Sequence, residues 1–158
     1  MSALESWLFA SSLAGQFLLV PASSLLIFYL LYARKRKEAI FLLAGYFGGI
    51  VLNWILKEIF QIPRPSGPLI PISGYGFPSG HAMSAVLFYS LLIFIFYKEI
   101  KNKNARITFV AINVLVVLLV GLSRFMLRVH SITDVVGGYV FGLLWLLLIY
   151  RILEKIKF

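Results

Sequence analysis

Five long apolar stretches, separated by short polar or proline-rich segments, constrain this 158-residue chain more than any other feature. A helix that crosses the hydrocarbon core of a bilayer needs roughly 17–25 mainly apolar residues, and fewer where its ends lie in protein or in a polar cavity. We therefore expect an all-α integral membrane protein, built as a bundle of about five transmembrane helices in a single domain over residues 1–158. The stretches cover residues 13–32, 39–56, 81–97, 107–122 and 134–150.

Composition agrees with a membrane protein. Hydrophobic residues make up 61% of the chain and charged residues 13%, whereas soluble domains have about 45–50% apolar and about 25% charged residues. The absence of cysteine excludes a disulfide framework and a thiolate metal site. Before the first stretch, residues 2–10 predict a short N-terminal interfacial helix with Trp7 and Phe9 on its apolar side.

The basic residues indicate the orientation of the chain in the membrane. Eleven of the fifteen follow the first, third and fifth stretches, so the positive-inside rule makes that side cytoplasmic. We therefore expect a cytoplasmic (inner) membrane protein with its N-terminus outside and its C-terminus in the cytoplasm. The net charge of +9 then reflects topology rather than a nucleic-acid partner. The remaining four basic residues lie on the outer side: Lys57, Arg64, Arg124 and Arg128.

The outer side also collects the polar residues that could carry chemistry. Both histidines of the chain, His81 and His130, lie there together with Asp134 and the four cations. Five of the six prolines fall in residues 63–78, which predicts a loop on the same side. Cations and histidines gathered on the side that should be poor in positive charge indicate an anion site.

Three motifs lie on this side, within residues 57–134 or about half of the chain: Lys57-x6-Arg64-Pro65, Pro78-Ser79-Gly80-His81 and Ser123-Arg124-x5-His130-x3-Asp134. They resemble the three-part signature of the type 2 phosphatidic acid phosphatase family, which also includes vanadium-dependent haloperoxidases. All three motifs occur in the family's order and with its internal spacings.

The residue types suit phosphoryl transfer on physical grounds. A phosphoryl group in transfer spreads negative charge over three oxygens, so catalysis depends on positioning and on cationic stabilisation. Lys57, Arg64 and Arg124 can supply the cations, and the arginines offer fork-shaped donors. The Ser79 hydroxyl and the Gly80 N–H can add neutral donors at the start of the third helix, where a helix N-terminus favours an anion.

The resemblance, rather than the spacing, assigns the two histidines. It implies that His130 is the nucleophile that forms a phosphohistidine, and that Asp134 orients its ring. It implies that His81 is the general acid and base, first for the leaving lipid oxygen and then for water. His130 and Asp134 are four residues apart, so they share a helix face if the fifth helix already includes residue 130. Cations take the place of a metal in this scheme, and we expect neither a metal nor a cofactor.

Each residue alone has an ordinary structural interpretation. Lys57 could be an interfacial anchor, Arg124 could end the fourth helix, and Asp134 could be a helix N-cap. Only their joint spacing favours catalysis. Arg128 is not a fixed position of the motif, and the sequence leaves open whether it contacts a second phosphate or headgroup, or faces solvent. Two glycine pairs predict close helix packing: Gly45 with Gly49, and Gly138 with Gly142.

The resemblance implies a membrane lipid phosphatase, a hydrolase of the cell envelope that acts on a lipid phosphate or pyrophosphate at the outer face. Undecaprenyl pyrophosphate, phosphatidylglycerol phosphate and lipid A 1-phosphate all fit. One alternative is a lipid-to-lipid phosphotransferase of the same fold. Another is an anion or lipid transporter, which the fourth and fifth stretches disfavour because Asn113 is almost their only polar residue. A haloperoxidase is disfavoured because those relatives are soluble.

Overall fold

The computed structural model describes residues 16–155, which fold into five helices with no β-strand in that range. This confirms the all-α fold class. Helices α2, α4 and α5 are long and apolar enough to cross a membrane, while α1 and α3 are shorter apolar helices. The interfacial helix predicted for residues 2–10 lies outside the described residues. The helices are α1 (Gln16–Tyr32), α2 (Arg36–Phe60), α3 (Gly80–Phe96), α4 (Lys103–Met126) and α5 (Ile132–Lys155).

Several helix ends predicted from hydropathy are wrong by about one turn. Helix α2 continues past residue 56 to Phe60, and α4 extends beyond residues 107–122 at both ends. Hydropathy drops at the first charged side chain, but the backbone keeps its helical hydrogen bonds where that side chain finds a polar partner. Lys57 therefore lies in the last turn of α2, and the Ser123–Arg124 pair lies inside α4.

Helix α3 is the centre of the bundle. It contacts each of the other four helices, and residues 82–88 are all buried. Seven consecutive residues make about two helical turns, so neighbours enclose this part of α3 on every side. A helix that is apolar all round is typical of such a position. The first turn of α3 is thereby held fixed relative to α2 and α5.

The glycines of α5 allow it to lie directly against α3. A Cβ atom placed on Gly138 would lie 2.7 Å from the carbonyl oxygen of Ser79, and one on Gly142 would lie 2.5 Å from a methyl group of Val86. On α2, a Cβ atom on Gly49 would lie 2.4 Å from Leu87. These contacts agree with the close packing predicted for the glycine pairs.

Helix α2 is interrupted by one π-helical turn at Leu43–Phe47. The wider turn disturbs the regular hydrogen-bond ladder, as π-bulges do. The indole Nε1 of Trp145 on α5 donates to the carbonyl oxygens of Ala44 (3.2 Å) and Gly45 (3.0 Å). This side chain therefore joins the two helices at the irregular turn.

The two ends of the bundle differ in character. At one end, Lys35 and Glu99 form an ion pair between the α1–α2 and α3–α4 connections. At the other end, the α2–α3 loop meets the α4–α5 connection. Helix α3 separates the ends by about 26 Å, given its 17 residues and a rise of about 1.5 Å per residue. The motif residues gather at the second end.

Candidate active site

A capping box begins helix α5 and sets the position of Asp134. The Ser131 hydroxyl accepts a hydrogen bond from the Asp134 N–H (3.2 Å), and Asp134 Oδ2 accepts one from the Ser131 N–H (2.8 Å). This reciprocal pair stabilises a helix N-terminus. The helix begins at Ile132, so His130 precedes it and the two residues do not share a helix face. The capping box brings them together instead: His130 Nδ1 lies 3.4 Å from Asp134 Oδ2.

Arg64 identifies the tautomer of His130. Its Nη1 lies 3.2 Å from His130 Nε2 and also donates to the Val129 carbonyl oxygen at 3.0 Å. A guanidinium group can only donate, so Nε2 must accept through its lone pair and the ring proton must lie on Nδ1. Nδ1–H then faces Asp134, although 3.4 Å is long for a hydrogen bond. The neutral Nε2 lone pair is the nucleophilic position of the ring.

Burial keeps His130 neutral. The side chain is 2% exposed, and its pKa is lowered first by this burial and then by the charges of Arg64, Lys57, His81 and Arg124. The carboxylate of Asp134 acts in the opposite direction, because a negative charge favours the imidazolium. Burial also lowers the pKa of Arg64, though a guanidinium remains charged at neutral pH.

The cations Lys57 and Arg64 are held by backbone carbonyl oxygens of the proline-rich loop. Lys57 Nζ donates to the carbonyls of Tyr75 (2.7 Å) and Gly76 (3.3 Å). Arg64 Nε donates to the carbonyls of Ser73 (3.2 Å) and Gly74 (3.0 Å), and its Nη2 to Ser73 (3.1 Å). Two cations separated by six residues are thereby fixed on one side of His130.

A cavity of about 350 Å³ opens between α2, the first turn of α3 and His130. Five of the residues singled out in the sequence line it: Lys57, Arg64, Gly80, His81 and His130. The remaining walls are largely apolar, formed by Ile50, Asn53, Trp54 and Ile72. Cations, a helix N-terminus and a neutral imidazole around one small space can hold a tetrahedral oxyanion beside a nucleophilic nitrogen.

Ser79 and Arg124 lie beside this cavity rather than on its wall. The Ser79 hydroxyl accepts from the Ala82 N–H at 3.5 Å and caps α3, and the Ser79 N–H donates to the Asp134 carbonyl oxygen at 2.9 Å. Arg124 is 1% exposed, and its Nε donates to the Ser123 hydroxyl at 3.1 Å. Arg124 contributes positive charge from within α4.

Arg128 lies apart from the other cations. It is exposed, has a left-handed backbone (φ 54°), and lines a separate cavity of about 680 Å³. His130 is the one lining residue that this cavity shares with the smaller one. The rest of the lining consists of three hydroxyl-bearing residues and four apolar ones: Ser66, Ser131, Thr133, Pro65, Phe125, Met126 and Ile132.

Sequence reasoning missed two contributors to the site. Asn53 is buried, lines the cavity one turn before Lys57, and donates through Nδ2 to the Pro78 carbonyl oxygen at 3.4 Å. A lone amide four residues before Lys57 in an apolar helix was a usable signal, since buried polar residues in membrane helices are commonly functional. The loop carbonyls gave no such signal, because every residue has one. Within residues 16–155, no three His, Asp or Glu side chains group as metal ligands do.

The chain is similar in sequence to known proteins. The model of the PAP2 superfamily matches residues 38–158. The chain is 36% identical over 129 residues to phosphatidylglycerophosphatase B of Bacillus subtilis (strain 168), an alignment that covers 80% of this chain and 63% of the relative. It is 30% identical over 142 residues to human dolichyldiphosphatase 1, covering 83% of this chain and 57% of the relative. The chain thus spans less than two thirds of either relative.

A solved structure shares the fold. The crystal structure of the first transmembrane PAP2 type phosphatidylglycerolphosphate phosphatase from Bacillus subtilis superimposes with a TM-score of 0.84 at 31% sequence identity. The match covers 98% of this chain and 78% of that one. The helical arrangement described above is therefore that of a known transmembrane protein.

Proposed function

The chain belongs to the PAP2 superfamily, and from that premise we propose that it is a metal-independent membrane lipid phosphatase. One observation carries the proposal: His130, whose neutral Nε2 contacts Arg64, lines a cavity that is also lined by Lys57, Arg64, Gly80 and His81. A lipid phosphate bound there would have its negative charge beside two cations and its phosphorus beside a nucleophile.

The reaction proceeds in two steps. In the first, Arg64 Nη1 transfers its hydrogen bond from His130 Nε2 to a phosphate oxygen, Nε2 bonds to phosphorus while the bond from phosphorus to the lipid oxygen breaks, and His81 gives that oxygen a proton. In the second, His81 takes a proton from water, the water oxygen bonds to phosphorus, and the Nε2–phosphorus bond breaks to release phosphate. Asp134 stabilises the ring proton on Nδ1 throughout, and Arg124 adds positive charge to both transition states.

The substrate is a lipid whose tail remains in the bilayer while its phosphate enters the cavity at the outer face of the membrane. The names of the two relatives point to phosphatidylglycerol phosphate and to dolichyl diphosphate. Undecaprenyl pyrophosphate is our candidate from the same chemical class as dolichyl diphosphate, a polyprenyl chain that carries a diphosphate. Lipid A 1-phosphate is a third candidate. Arg128, in the separate cavity beside His130, would contact a headgroup or a second phosphate.

Phosphate release by the purified protein in detergent tests the proposal. The three lipids are offered separately in the presence of EDTA, beside a His130→Ala variant whose helix content is checked by circular dichroism. We expect release from at least one lipid with EDTA present, and none from the variant. Release that requires a second acceptor lipid would show a phosphotransferase instead, and no release from a folded protein under any condition would overturn the proposal.

A further inference from the structure

We propose that the backbone of residues 73–76, here called the carbonyl clamp, positions the two loop-side cations, Lys57 and Arg64, for phosphate. The inference rests on the proposed function of the same cavity. It assigns a role to a segment none of whose residues lines either of the two cavities beside His130. The clamp acts only through its carbonyl oxygens.

Four consecutive carbonyl oxygens hold the two cations. Ser73 and Gly74 accept from Arg64, and Tyr75 and Gly76 accept from Lys57, through five hydrogen bonds of 2.7–3.3 Å. The clamp therefore sets the distance between an ammonium on α2 and a guanidinium in the loop. Arg64 Nη1, which takes no part in the clamp, is left to contact Val129 and His130.

Carbonyl oxygens position these cations without neutralising them. Among the residues that the structure describes, none of the ion pairs involves Lys57 or Arg64. A carboxylate in the clamp would orient the cations equally well, but its charge would compete with the phosphate for both of them. A neutral dipole supplies the orientation and leaves the positive charge for the ligand, as electrostatic preorganisation requires.

The conformation of the clamp depends on glycine. Gly74 has φ +75°, in the left-handed region that other residues adopt only with strain. Gly76 is anchored by its N–H to the Ile62 carbonyl oxygen (2.7 Å), and a Cβ there would lie 3.2 Å from Asp134 Oδ2. The same loop contains Gly67, with φ +68°. Both Gly67 and Gly74 are exposed with nothing within 4 Å of an added Cβ atom, but Gly67 contacts neither cation.

This pair of glycines provides a matched test in the full-length protein. Proline fixes φ near −65°, so Gly74→Pro must redirect the clamp carbonyls, whereas Gly67→Pro imposes the same backbone change away from the cations. Binding of orthovanadate, an analogue of the phosphoryl group in transfer, is measured by calorimetry, and phosphate release from the best lipid substrate is measured beside it. We expect Gly74→Pro to weaken vanadate binding and lower kcat/KM by about 10- to 100-fold. For Gly67→Pro we expect a change of less than about twofold, because surface changes away from such contacts are usually small.

The outcomes separate the clamp from the proposed function. Equal vanadate affinity in the two proline variants would overturn the clamp, even if the wild type is an active phosphatase. A wild type that binds vanadate but releases no phosphate would overturn the proposed function, while the binding comparison would still decide on the clamp. If Gly74→Pro does not fold, Gly74→Ala and Gly67→Ala place the same milder strain at the two positions. A several-fold loss of affinity in Gly74→Ala alone then supports the clamp, and equal affinities overturn it.

Discussion

Single atoms of Asp134 and Arg64 determine which ring nitrogen of His130 carries the proton. The donor-only guanidinium contacts Nε2 at 3.2 Å, and the carboxylate, held by the Ser131 N–H, lies next to Nδ1. Arg64 requires an unprotonated Nε2, and the Asp134 carboxylate favours a protonated Nδ1. Both contacts therefore favour the same tautomer. Replacing either partner leaves a single contact to favour this tautomer.

Asp134→Asn tests the tautomer argument. An amide carries no charge, so it stabilises the proton on Nδ1, and the positive ring that forms when Nε2 bonds to phosphorus, less than the carboxylate does. We expect kcat to fall by about 10²–10⁴-fold, as for an Asp-to-Asn change behind a catalytic histidine. KM should change little, because Lys57 and Arg64 still bind the phosphate. Steady-state kinetics with a thermal-unfolding control measures both, and a fall in kcat below about threefold would contradict the argument.

The buried His130 predicts a pH dependence of stability. Its pKa is lowered in the folded state from an unfolded value of about 6.5, so below about pH 6.5 the unfolded chain binds a proton that the folded one does not. Stability must therefore fall as the pH drops below that value, by at most about 1.4 kcal/mol per pH unit. Unfolding of the wild type and His130→Gln between pH 5 and 8 measures this difference. If the free energy of unfolding changes with pH to the same extent in both proteins, His130 does not contribute to the pH dependence.

The convergence of motif residues on one cavity was predictable from the sequence, but their individual contacts were not. Motif spacing selected five residues that line one cavity, because widely spaced motifs on one side of a bundle can converge. It did not predict that the Ser79 hydroxyl caps α3, that Arg124 is buried inside α4, or that Asn53 lines the cavity. Those facts depend on how neighbouring helices pack, which a single sequence does not specify.

Among the elements, the junction of α5 with the first turn of α3 controls the geometry of the site. Hydropathy predicted the helices themselves, and the Ser-x-x-Asp pattern at residues 131–134 was a usable sign of the capping box. The conformation of loop 61–79 was not predictable, because its shape follows from long-range hydrogen bonds such as those of Arg64. The close approach of Gly138 to Ser79 makes this junction testable.

Gly138→Ala and Gly142→Ala separate helix packing from site geometry. The added methyl on Gly138 meets backbone atoms of Ser79 and Met83, whereas on Gly142 its nearest contact is the Val86 side chain. Both changes should destabilise the fold, by about 1–3 kcal/mol as overpacking commonly does. Only Gly138→Ala displaces the N-terminus of α3, so we expect it alone to lower kcat, by tenfold or more. Equal kcat values for the two variants, measured below their unfolding temperatures, would refute this account of the junction.

At the scale of the whole molecule, the site lies at the opposite end of the bundle from the Lys35–Glu99 ion pair. The positive-inside rule predicts that the ion pair lies in the cytoplasm and the site outside. The chain has no cysteine, so single cysteines can report the orientation. Ser66→Cys in the α2–α3 loop should react with an impermeant maleimide in intact cells, and Asn104→Cys at the start of α4 only after permeabilisation. The reverse pattern would place the site in the cytoplasm.

In the proposed reaction the phosphoryl group is bonded covalently to His130 before water releases it. Trapping this phosphohistidine is the most direct experiment. In the proposed reaction His81 is the base that activates water, so a His81→Ala variant should be unable to complete the second step. With p-nitrophenyl [³²P]phosphate, whose leaving group needs no proton, this variant should accumulate a phosphoenzyme. We expect an acid-labile, base-stable label on His130, as for a phosphohistidine, and no label in the His81→Ala/His130→Ala double variant. Label that persists in the double variant, or phosphate released by His81→Ala without any labelled protein, would contradict the proposed reaction.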